Sequence, residues 1–343
     1  MPREVQLIAP GKLGMVEYEL KGLEAGQVRV RSEFAAAKHG TEMAFVKGYG
    51  AGRGGYDRKL GVFIRPDGPP PEFRPGGVGN MFVGEVTEAA ADVASLKVGD
   101  RVLGYGCFRE VHTASADGCR KMPAGLSWKS AVCLDPADFA LAAVRDGNVR
   151  VGDNVAVFGM GAIGLMVVQI ARLAGAARVI AVDPLANRRE VAEACGADLV
   201  LDPTACDAGV EVRRATDFRG ADVAVEYSGA VAALQADIRA VAFGGTVVAG
   251  AYPAPYPAGL DLGAEAHINI PNIVFSRACS EPNREHPRWD EKRIYATCWR
   301  LIRSGKLTGE DIVTPVVPFE ALPEEYLKIA TDPGANVKLG ATF

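Results

Sequence analysis

The pattern of hydrophobic and polar positions changes near the middle of the chain. Before Leu134, short apolar stretches such as Glu4–Ala9 and Gln27–Ser32 are separated by turns rich in Gly and Pro, which is typical of β-strands. After Leu134, strand-like and helix-like patterns alternate regularly as far as Ala251. Regular alternation of this kind predicts a parallel sheet with helices on both faces. We therefore expect an α/β protein whose first part is rich in β structure.

The last part of the chain departs from this alternation. Ser276–Asp290 is polar and predicts a loop, whereas Glu291–Ser304 has the apolar spacing of an amphipathic helix. From Ile312 to Phe343 the pattern predicts short strands and turns, which could pair with the N-terminal strands. Gly48–Gly79 is rich in Gly, Pro and charged residues and predicts long loops, which often carry binding residues.

The most informative motif lies in Asn154–Asp183, where a buried strand, a glycine turn, a helix and a second strand follow one another. The first glycine of the GxGxxG turn allows the tight bend, the second lets a pyrophosphate approach the backbone, and the third lets helix and strand pack closely. The helix start offers free N–H groups to the phosphates, and an acidic residue after the second strand can accept from ribose hydroxyls. The residues predicted to bind the dinucleotide here are Gly159, Gly161, Ala162, Ile163, Gly164 and Asp183.

Further cofactor contacts are expected at the same edge of the predicted sheet, because ligands bind at the carboxyl ends of parallel strands. Arg188 lies on the helix after Asp183, where it could pair with that carboxylate or lie against the adenine. Because Asp183 would repel a 2′-phosphate, the sequence predicts NAD as the cofactor in preference to NADP. The other residues expected on this edge are Ser228, Gly229, Ala251 and Tyr252.

Composition narrows the classes of function. A chain of 343 residues favours two domains, and a net charge of −4 gives no reason to expect nucleic acid or a membrane as partner. The seven cysteines are scattered without a CxxC pair, which favours free thiols in a reducing compartment. The N-terminus lacks a signal-peptide core, and no apolar stretch is long enough for a membrane span. We therefore expect a cytoplasmic protein.

Together these motifs resemble the zinc-type alcohol dehydrogenases of the medium-chain dehydrogenase/reductase superfamily. The likeness rests on KVGDRV at 97–102, RVGDNVAVFGMGAIG at 150–164, VAVEYSG at 223–229 and FGGTVVAGAY at 243–252. It implies a GroES-like β-barrel catalytic domain over residues 1–134 and 276–343, and an NAD-binding Rossmann doubly wound domain over residues 135–275. It also implies a homodimer or homotetramer. KHGTE and HPRWDEKR most resemble the branch of bacteriochlorophyllide-type dehydrogenases.

The chain departs from this family at the catalytic metal. Zinc-dependent members carry a Cys-Gly-Thr-Asp phrase and a Gly-His-Glu phrase, where this chain has His39-Gly40-Thr41-Glu42 and Gly79-Asn80-Met81. The four closely spaced cysteines that hold the family's structural zinc are also missing. His39 and Asp135 could still bind a metal, but an amide and a thioether are poor replacements for imidazole and carboxylate. We therefore predict that neither zinc is present.

Lys38 and His39 lie beside the position of the missing metal ligand and are the candidates for the general acid/base. Adjacent residues on an extended segment face opposite sides, so we expect only one of the two to face the site. Thr41 or Asn80 is expected to hydrogen-bond the substrate oxygen. Arg277 lies where the family's chain passes the nicotinamide and is a further candidate for cofactor contact.

These features predict a zinc-independent, NAD-dependent dehydrogenase that oxidises a secondary alcohol to a ketone. The polar residues over 38–60 favour a hydroxyl-rich substrate such as a sugar, polyol or cyclitol. One alternative is an NAD(P)H-dependent reductase of an activated double bond or quinone, although members of that kind usually lack an acid such as Asp183. A second alternative is a non-catalytic protein that binds NAD.

Overall fold

The computed structural model describes residues 1–48, 53–65 and 72–343. It separates the chain into two compact units, which we call unit 1 (Met1–Trp128 with Val313–Phe343) and unit 2 (Lys129–Ile312). The family resemblance predicts boundaries after residues 134 and 275, whereas those of the structure lie after residues 128 and 312. The second boundary therefore differs more than the first. Residues 276–312 belong to unit 2 in the structure.

The N-terminal part of unit 1 is built mainly of short strands, as its apolar pattern predicts. A helix, α1 (His39–Val46), follows the third strand. In chain order the strands are β1 (Arg3–Ala9), β2 (Lys12–Glu17), β3 (Gln27–Ala36), β4 (Gly55–Asp57), β5 (Val62–Ile64), β6 (Gly76–Gly77), β7 (Met81–Ala89), β8 (Arg101–Tyr105), β9 (Val111–Ser115) and β10 (Arg120–Lys121).

The predicted loop Gly48–Gly79 contains more regular structure than its composition indicates. Strands β4 and β5 form an antiparallel hairpin, and β6 pairs with β1. Backbone pairing over two or three residues needs no long apolar run, which is why the composition did not reveal it. The remainder of the predicted loop, at residues 49–52 and 66–71, lies outside the described residues.

Unit 2 alternates helices and strands. Its first helix, α2, begins one residue before the unit. In chain order the elements are α2 (Trp128–Ala131), α3 (Leu134–Asp146), β11 (Asn154–Phe158), α4 (Ala162–Ala174), β12 (Arg178–Val182), α5 (Ala186–Ala194), β13 (Leu199–Leu201), α6 (Ala208–Ala215), β14 (Ala221–Glu226), α7 (Val231–Ala240), β15 (Val241–Ala249), α8 (Glu265–Asn269), β16 (Asn272–Phe275) and α9 (Glu291–Arg303).

The strands of unit 2 form one parallel sheet in the order β13-β12-β11-β14-β15-β16. This is the doubly wound order, in which the chain direction across the sheet reverses between β11 and β14. The predicted α/β fold with a Rossmann sheet is confirmed. Because all strands are parallel, their carboxyl ends at Phe158, Val182 and Glu226 lie along one edge.

The membership of residues 276–312 in unit 2 follows from the apolar face of α9. Ile294, Cys298 and Ile302 are spaced for one side of the helix and are buried. That side packs against α3, which belongs to the same unit. The amphipathic pattern correctly predicts the helix, but it carries no information about which domain the helix covers.

The C-terminal tail returns to unit 1 and adds β17 (Val313–Pro318), α10 (Leu322–Thr331) and β18 (Lys338–Thr342). Strand β18 pairs with both β17 and β3, which completes a sheet of the order β10-β8-β7-β3-β18-β17, with β9 also paired to β3. Pairing of the tail with the N-terminal strands is therefore confirmed.

The prediction of only strands and turns in the tail is wrong, because α10 is a helix. Leu322, Tyr326 and Ile329 recur at helical spacing and are buried on one face of α10. A proline near the helix start is compatible with this conformation, since the first turn needs no N–H donor there. The helix places Tyr326 in the core of unit 1.

No helix in the described ranges is long and apolar enough to cross a bilayer. All seven cysteines are free thiols in the structure. A cytoplasmic location remains a prediction from the sequence.

Candidate active site

The glycine turn of unit 2 is fixed by two very close backbone approaches. Gly159 has a φ of +95°, and a Cβ on it would lie 2.5 Å from the backbone nitrogen of Ser228. A Cβ on Gly164 would lie only 1.9 Å from the carbonyl oxygen of Gly159. Neither position can hold a side chain, so the sequence motif is a steric requirement of this turn.

The space beside Gly161 is open, in contrast to that at the other two glycines. No atom lies within 4 Å of the position that a Cβ on Gly161 would take. Gly161 also caps the start of α4, where the N–H groups of the first helical turn, including those of Ala162 and Ile163, lack intrahelical partners. An open cradle at the positive end of a helix fits the pyrophosphate of a dinucleotide.

Asp183 follows β12 and is almost completely buried, with 3% of its surface exposed. Its Oδ2 accepts a hydrogen bond from the backbone N–H of Met160 at 2.8 Å, and its Oδ1 accepts one from Leu185 at 2.9 Å. Each carboxylate oxygen can accept a second hydrogen bond, so the group can still receive a ribose hydroxyl. Asp183 therefore has a structural role that the sequence did not reveal, which is to hold the glycine turn against the second strand.

Two arginines on α5 surround Asp183. The Nη1 of Arg188 lies 4.0 Å from Oδ2 of Asp183, which matches the first of the two predicted positions for this side chain. Burial lowers the pKa of Arg188, and the nearby carboxylate partly opposes that shift. Arg189 donates to the carbonyl oxygen of Asp183 at 2.8 Å and pairs with Asp202 at 3.1 Å. Asp183, at the end of β12, is thus contacted by arginines at both its side chain and its backbone.

The carboxyl ends of β14 and β15 meet at the same edge. Gly229 has a φ of +74°, and a Cβ on it would lie 3.7 Å from that of Ala251. The structure therefore brings Ser228 and Gly229 close to both Gly159 and Ala251, as the edge prediction requires. Tyr252 follows with 45% of its surface exposed.

Glu226 organises this corner, although the sequence analysis did not single it out. Its Oε1 accepts from the N–H and hydroxyl of Ser228 at 2.6 and 2.5 Å, and from the N–H of Gly229 at 2.8 Å. Burial raises the pKa of Glu226, while these three hydrogen bonds lower it. Its position at the end of a buried strand, directly before the turn, was the signal in the sequence.

Arg277 lies two residues beyond β16 with its side chain exposed. Its Nη1 donates to the carbonyl oxygen of Cys279 at 3.2 Å and to the hydroxyl of Ser280 at 3.4 Å. The guanidinium group is thus engaged within its own loop. Its predicted contact with the cofactor stays a prediction.

In unit 1, Lys38 and His39 lie at the start of a helix, which corrects the assumption that both are on an extended segment. Lys38 caps α1 with φ −114° and ψ 82°, and His39 is the first helical residue. The alternation of faces along a strand therefore does not apply to this pair. Thr41, one residue further along α1 than Gly40, is exposed.

The imidazole of His39 is committed to the backbone of β18. Its Nε2 accepts a hydrogen bond from the N–H of Leu339 at 2.9 Å. An imidazole nitrogen that accepts has no lone pair left for a proton or a metal ion, and the neutral ring then carries its proton on Nδ1. This geometry argues against His39 as general base through Nε2.

The carboxylate of Glu42 connects three parts of unit 1. Its Oε2 accepts from the N–H of Lys38 at 2.8 Å and from the hydroxyl of Tyr326 at 2.6 Å. Its Oε1 accepts from the N–H of Gly79 at 2.5 Å. Burial raises the pKa of Glu42, and the hydrogen bonds from these donors partly oppose that shift. Tyr326 was missed by the sequence because α10 was not predicted.

Asn80 is held rigidly while its side chain keeps an unused donor. Its N–H donates to the carbonyl oxygen of Ala36 at 3.0 Å, and its own carbonyl oxygen accepts from Gly106 at 2.9 Å. Its side-chain Nδ2 is buried and has no hydrogen-bond partner among the described residues. A buried amide donor without a partner is costly, so this group is suited to meet an oxygen of a bound molecule.

The donors that the structure describes around His39, Glu42 and Asn80 do not match a catalytic zinc site. Such a site needs three protein ligands from thiolate, imidazole and carboxylate. The Nε2 of His39 and both oxygens of Glu42 are already used, and Asn80 offers an amide. Across residues 1–48, 53–65 and 72–343, no three His, Cys, Asp or Glu side chains are grouped so that they could hold a metal ion. Asp135, the remaining candidate ligand, belongs to unit 2.

Comparison with known proteins identifies the family. The chain is 44% identical to the D-guloside 3-dehydrogenase of Escherichia coli (strain K12) over 346 residues, which is 98% of each protein. It belongs to the zinc-binding dehydrogenase family of the medium-chain dehydrogenase/reductase superfamily. Residues 162–278 match that family, described as "Zinc-binding dehydrogenase". The chain is thus an oxidoreductase of the alcohol and polyol class.

Solved structures of low sequence identity share this fold. The chain is similar to 2R,3R-butanediol dehydrogenase from Bacillus subtilis, with a TM-score of 0.77, 23% identity and full coverage of both chains. It is also similar to a short chain alcohol dehydrogenase from Escherichia coli CFT073 complexed with NADH. For that structure the TM-score is 0.77 and the identity 18%, over 100% of this chain and 99% of the other.

Gly161→Ala is expected to weaken binding of the cofactor without weakening the fold. The new methyl group meets no protein atom, but it fills the cradle that we assign to the pyrophosphate. We expect the Kd for NADH, measured by fluorescence titration, to rise by about tenfold or more, which corresponds to ~1.4 kcal/mol, with an unchanged Tm. Gly164→Ala is the matched control, since its methyl group would overlap the Gly159 carbonyl oxygen and must lower Tm. Unchanged NADH affinity in Gly161→Ala would contradict the assigned cradle.

Proposed function

We propose that this protein is an NAD-dependent dehydrogenase that oxidises a secondary hydroxyl group of a sugar glycoside to a ketone, without zinc. The observation that carries the proposal is the buried Nδ2 of Asn80, which has no hydrogen-bond partner among the described residues. Asn80 directly follows Gly79, which the Glu42 carboxylate ties to Lys38. Support for the substrate class comes from the 44% identity to a D-guloside 3-dehydrogenase over nearly the whole chain. We therefore expect oxidation at C3 of a hexoside.

The preference for NAD over NADP rests on Asp183. A buried carboxylate at the end of β12 accepts from ribose hydroxyls, and it repels the negative charge of a 2′-phosphate. Arg188 lies 4.0 Å away and offsets part of this charge, but its guanidinium group is directed to Asp183 itself. We infer that ribose recognition belongs to the carboxylate.

The proposed chemistry assigns a proton step to Lys38 and a binding step to Asn80. A bound nicotinamide cofactor supplies the acceptor for the hydride that leaves the substrate carbon. The hydroxyl proton must be taken by a base, and the oxygen must be held as negative charge develops. Because Nε2 of His39 is engaged by Leu339, Lys38 is the better base of the two. The Nδ2 of Asn80 can donate to the substrate oxygen.

Zinc independence is proposed from the donors themselves. In a zinc-dependent relative the metal would hold the oxygen, whereas here His39 and Asn80 present an engaged imidazole and an amide at two of the ligand positions, and the nearby carboxylate of Glu42 is engaged as well. The neutral amine of Lys38 can take the proton, becoming an ammonium group, while the amide donor of Asn80 holds the oxygen. The membership of the bacteriochlorophyllide-type branch remains a proposal that rests on the KHGTE and HPRWDEKR phrases alone.

A panel of substrates tests this function. We expect NAD⁺ to be reduced with methyl D-gulosides or D-glucosides, seen at the NADH absorbance band, with a 3-ketone as product by NMR. NADP⁺ should give a kcat/KM at least tenfold lower, or ~1.4 kcal/mol less transition-state stabilisation. Oxidation of NADPH by quinones or enones, with no reaction on glycosides, would favour the reductase alternative. NADH binding without any turnover would favour a non-catalytic role.

Single alanine variants separate Lys38 from His39. Lys38→Ala removes the proposed base and should lower kcat by about 10²- to 10⁴-fold at neutral pH, with little change in the Kd for NADH. His39→Ala loses a hydrogen bond to Leu339 and should mainly lower Tm, with kcat within about tenfold of wild type. Turnover of Lys38→Ala at the wild-type rate would contradict the proposed role of Lys38 as the base.

We also propose that the protein is a homodimer or a homotetramer built through the edge of the unit 2 sheet. Strand β16 ends the sheet and carries exposed apolar side chains, with Ile273 41% and Phe275 76% exposed. Ile268 and Ile270, which precede β16 in the chain, and Phe243 on β15 are also exposed apolar residues, at 69%, 59% and 70%. An unpaired apolar edge strand is a template for pairing with another chain, and a second copy presents the same edge.

Ile273→Lys should disrupt this pairing. The substitution places a charge on each copy of the edge strand, and like charges across a two-fold interface repel each other. Light scattering after size exclusion is expected to give a dimer or tetramer for wild type and a smaller species for the variant. Leu173→Lys is the matched control, because Leu173 is an exposed apolar residue near the end of α4 in the same unit. A monomeric wild-type protein would contradict the proposed assembly.

A further inference from the structure

The two candidate catalytic segments of unit 1 are joined through one carboxylate. Lys38 precedes α1, and Gly79 lies directly before Asn80 on the approach to β7. The two oxygens of Glu42 accept from the backbone N–H groups of Lys38 and Gly79 at 2.8 and 2.5 Å. Although these segments are about 40 residues apart in sequence, their backbones are held by the same side chain.

A third donor completes the carboxylate. The hydroxyl of Tyr326 donates to Oε2 of Glu42 at 2.6 Å, and the Tyr326 side chain is fully buried on α10. Hydrogen bonds to an ionised acceptor are stronger than neutral ones, and three of them satisfy a buried carboxylate well. The position of Glu42 is therefore set by a helix that is distant in sequence from both segments.

The surrounding charges favour the ionised carboxylate. Lys338 on β18 is buried, and its Nζ donates to the carbonyl oxygen of Ala37, one residue before Lys38. Its positive charge lowers the pKa of Glu42, opposing the effect of burial. Tyr326 and Cys107 are further titratable groups that interact with Glu42, and burial raises the pKa of both the Tyr326 hydroxyl and the Cys107 thiol.

We propose that Glu42, held by Tyr326, is the positioning residue of the active site, and that its hydrogen bonds do the work of a bridging metal. In zinc-dependent relatives the ligand phrases that correspond to these two segments would be joined by the ion. Here the carboxylate joins them through backbone N–H groups and so sets the relative placement of Lys38 and Asn80. This inference rests on the proposed function for the roles of those two residues.

Two variants, with one matched control, test the connection that Glu42 makes between the backbones of Lys38 and Gly79. Glu42→Gln keeps one acceptor oxygen but turns an NH₂ group toward one of the two backbone donors. Tyr326→Phe removes only the hydroxyl and leaves the ring in place. Tyr18→Phe is the control, since the hydroxyl of Tyr18 also donates inside unit 1, to the carbonyl oxygen of Val111.

The kinetic result expected is a loss in kcat without a loss in cofactor binding. Misplacement of catalytic groups by about 1 Å costs on the order of 10²-fold in rate, so we expect about that loss for Glu42→Gln. Tyr326→Phe should lose about tenfold, and the double variant should be no slower than Glu42→Gln because both act through one carboxylate. The Kd for NADH should stay within about twofold of wild type, as it should in Tyr18→Phe.

The pH profile supplies a readout that a merely structural role would not move. Glu42 accepts all three hydrogen bonds only when it is ionised, so kcat should fall as pH drops through its pKa. The Tyr326 hydroxyl favours the ionised form, so its removal raises that pKa further. We therefore expect the acid limb of the kcat profile to move to higher pH in Tyr326→Phe and to stay in place in Tyr18→Phe.

Hydrogen exchange tests the connection of Lys38 and Gly79 through Glu42 without any substrate. The amides of Lys38 and Gly79 should exchange slowly in wild type and faster in Glu42→Gln, as seen by mass spectrometry of the peptides that contain them. Unchanged exchange, or an unmoved acid limb in Tyr326→Phe, would overturn the inference. If wild type turns over no hydroxyl substrate while its exchange pattern is as expected, the proposed function fails, but the connection of Lys38 and Gly79 through Glu42 is supported.

Discussion

The close backbone approach at Gly159 is the constraint on which the candidate cofactor site of unit 2 depends. The turn after β11 and the turn after β14 touch there, so a Cβ on Gly159 would collide with Ser228. This contact fixes the crevice at the point where the strand order reverses, which is where a doubly wound sheet binds ligands. Asp183 then ties the same turn to β12 through the Met160 N–H. Three strand ends are thus joined at one place.

The features that the sequence predicts best are those that local rules dictate. The parallel sheet follows from regular alternation of apolar patterns, and the glycine turn follows from steric demands within six residues. The edge at which Ser228 and Ala251 meet could be inferred as well, since it requires only that the strands be parallel. The helix Glu291–Arg303 was visible in its apolar spacing, but the unit it joins depends on packing against α3.

The organisation of the candidate catalytic residues could not be inferred in this way. Glu42 holds Gly79 and Tyr326, and these contacts cross 37 and 284 positions of the sequence. The engagement of His39 by the Leu339 backbone spans 300 positions. No periodicity reports such pairs, because they join segments that are far apart in the sequence. The phrase His39-Gly40-Thr41-Glu42 indicated the candidate site, but the contacts of His39 and Glu42 with Leu339 and Tyr326 depend on the C-terminal tail.

In the proposed mechanism, hydrogen bonds do what a metal does in zinc-dependent members of this family. A zinc ion fixes its ligands and polarises the bound oxygen in one step, whereas here the two tasks fall to different groups. In the proposed mechanism Glu42 fixes the two segments, while Lys38 and Asn80 act on the substrate oxygen. Such a division requires a buried and ionised carboxylate, which the three donors and the charge of Lys338 stabilise.

The most direct test of this account is the zinc content of the active enzyme, measured by elemental analysis beside its turnover of a glycoside with NAD⁺. Protein purified without chelator should contain far less than one zinc per subunit. Its turnover should be unchanged after treatment with a chelator. One tightly bound zinc per subunit, with activity lost on its removal and regained on its return, would contradict the central claim.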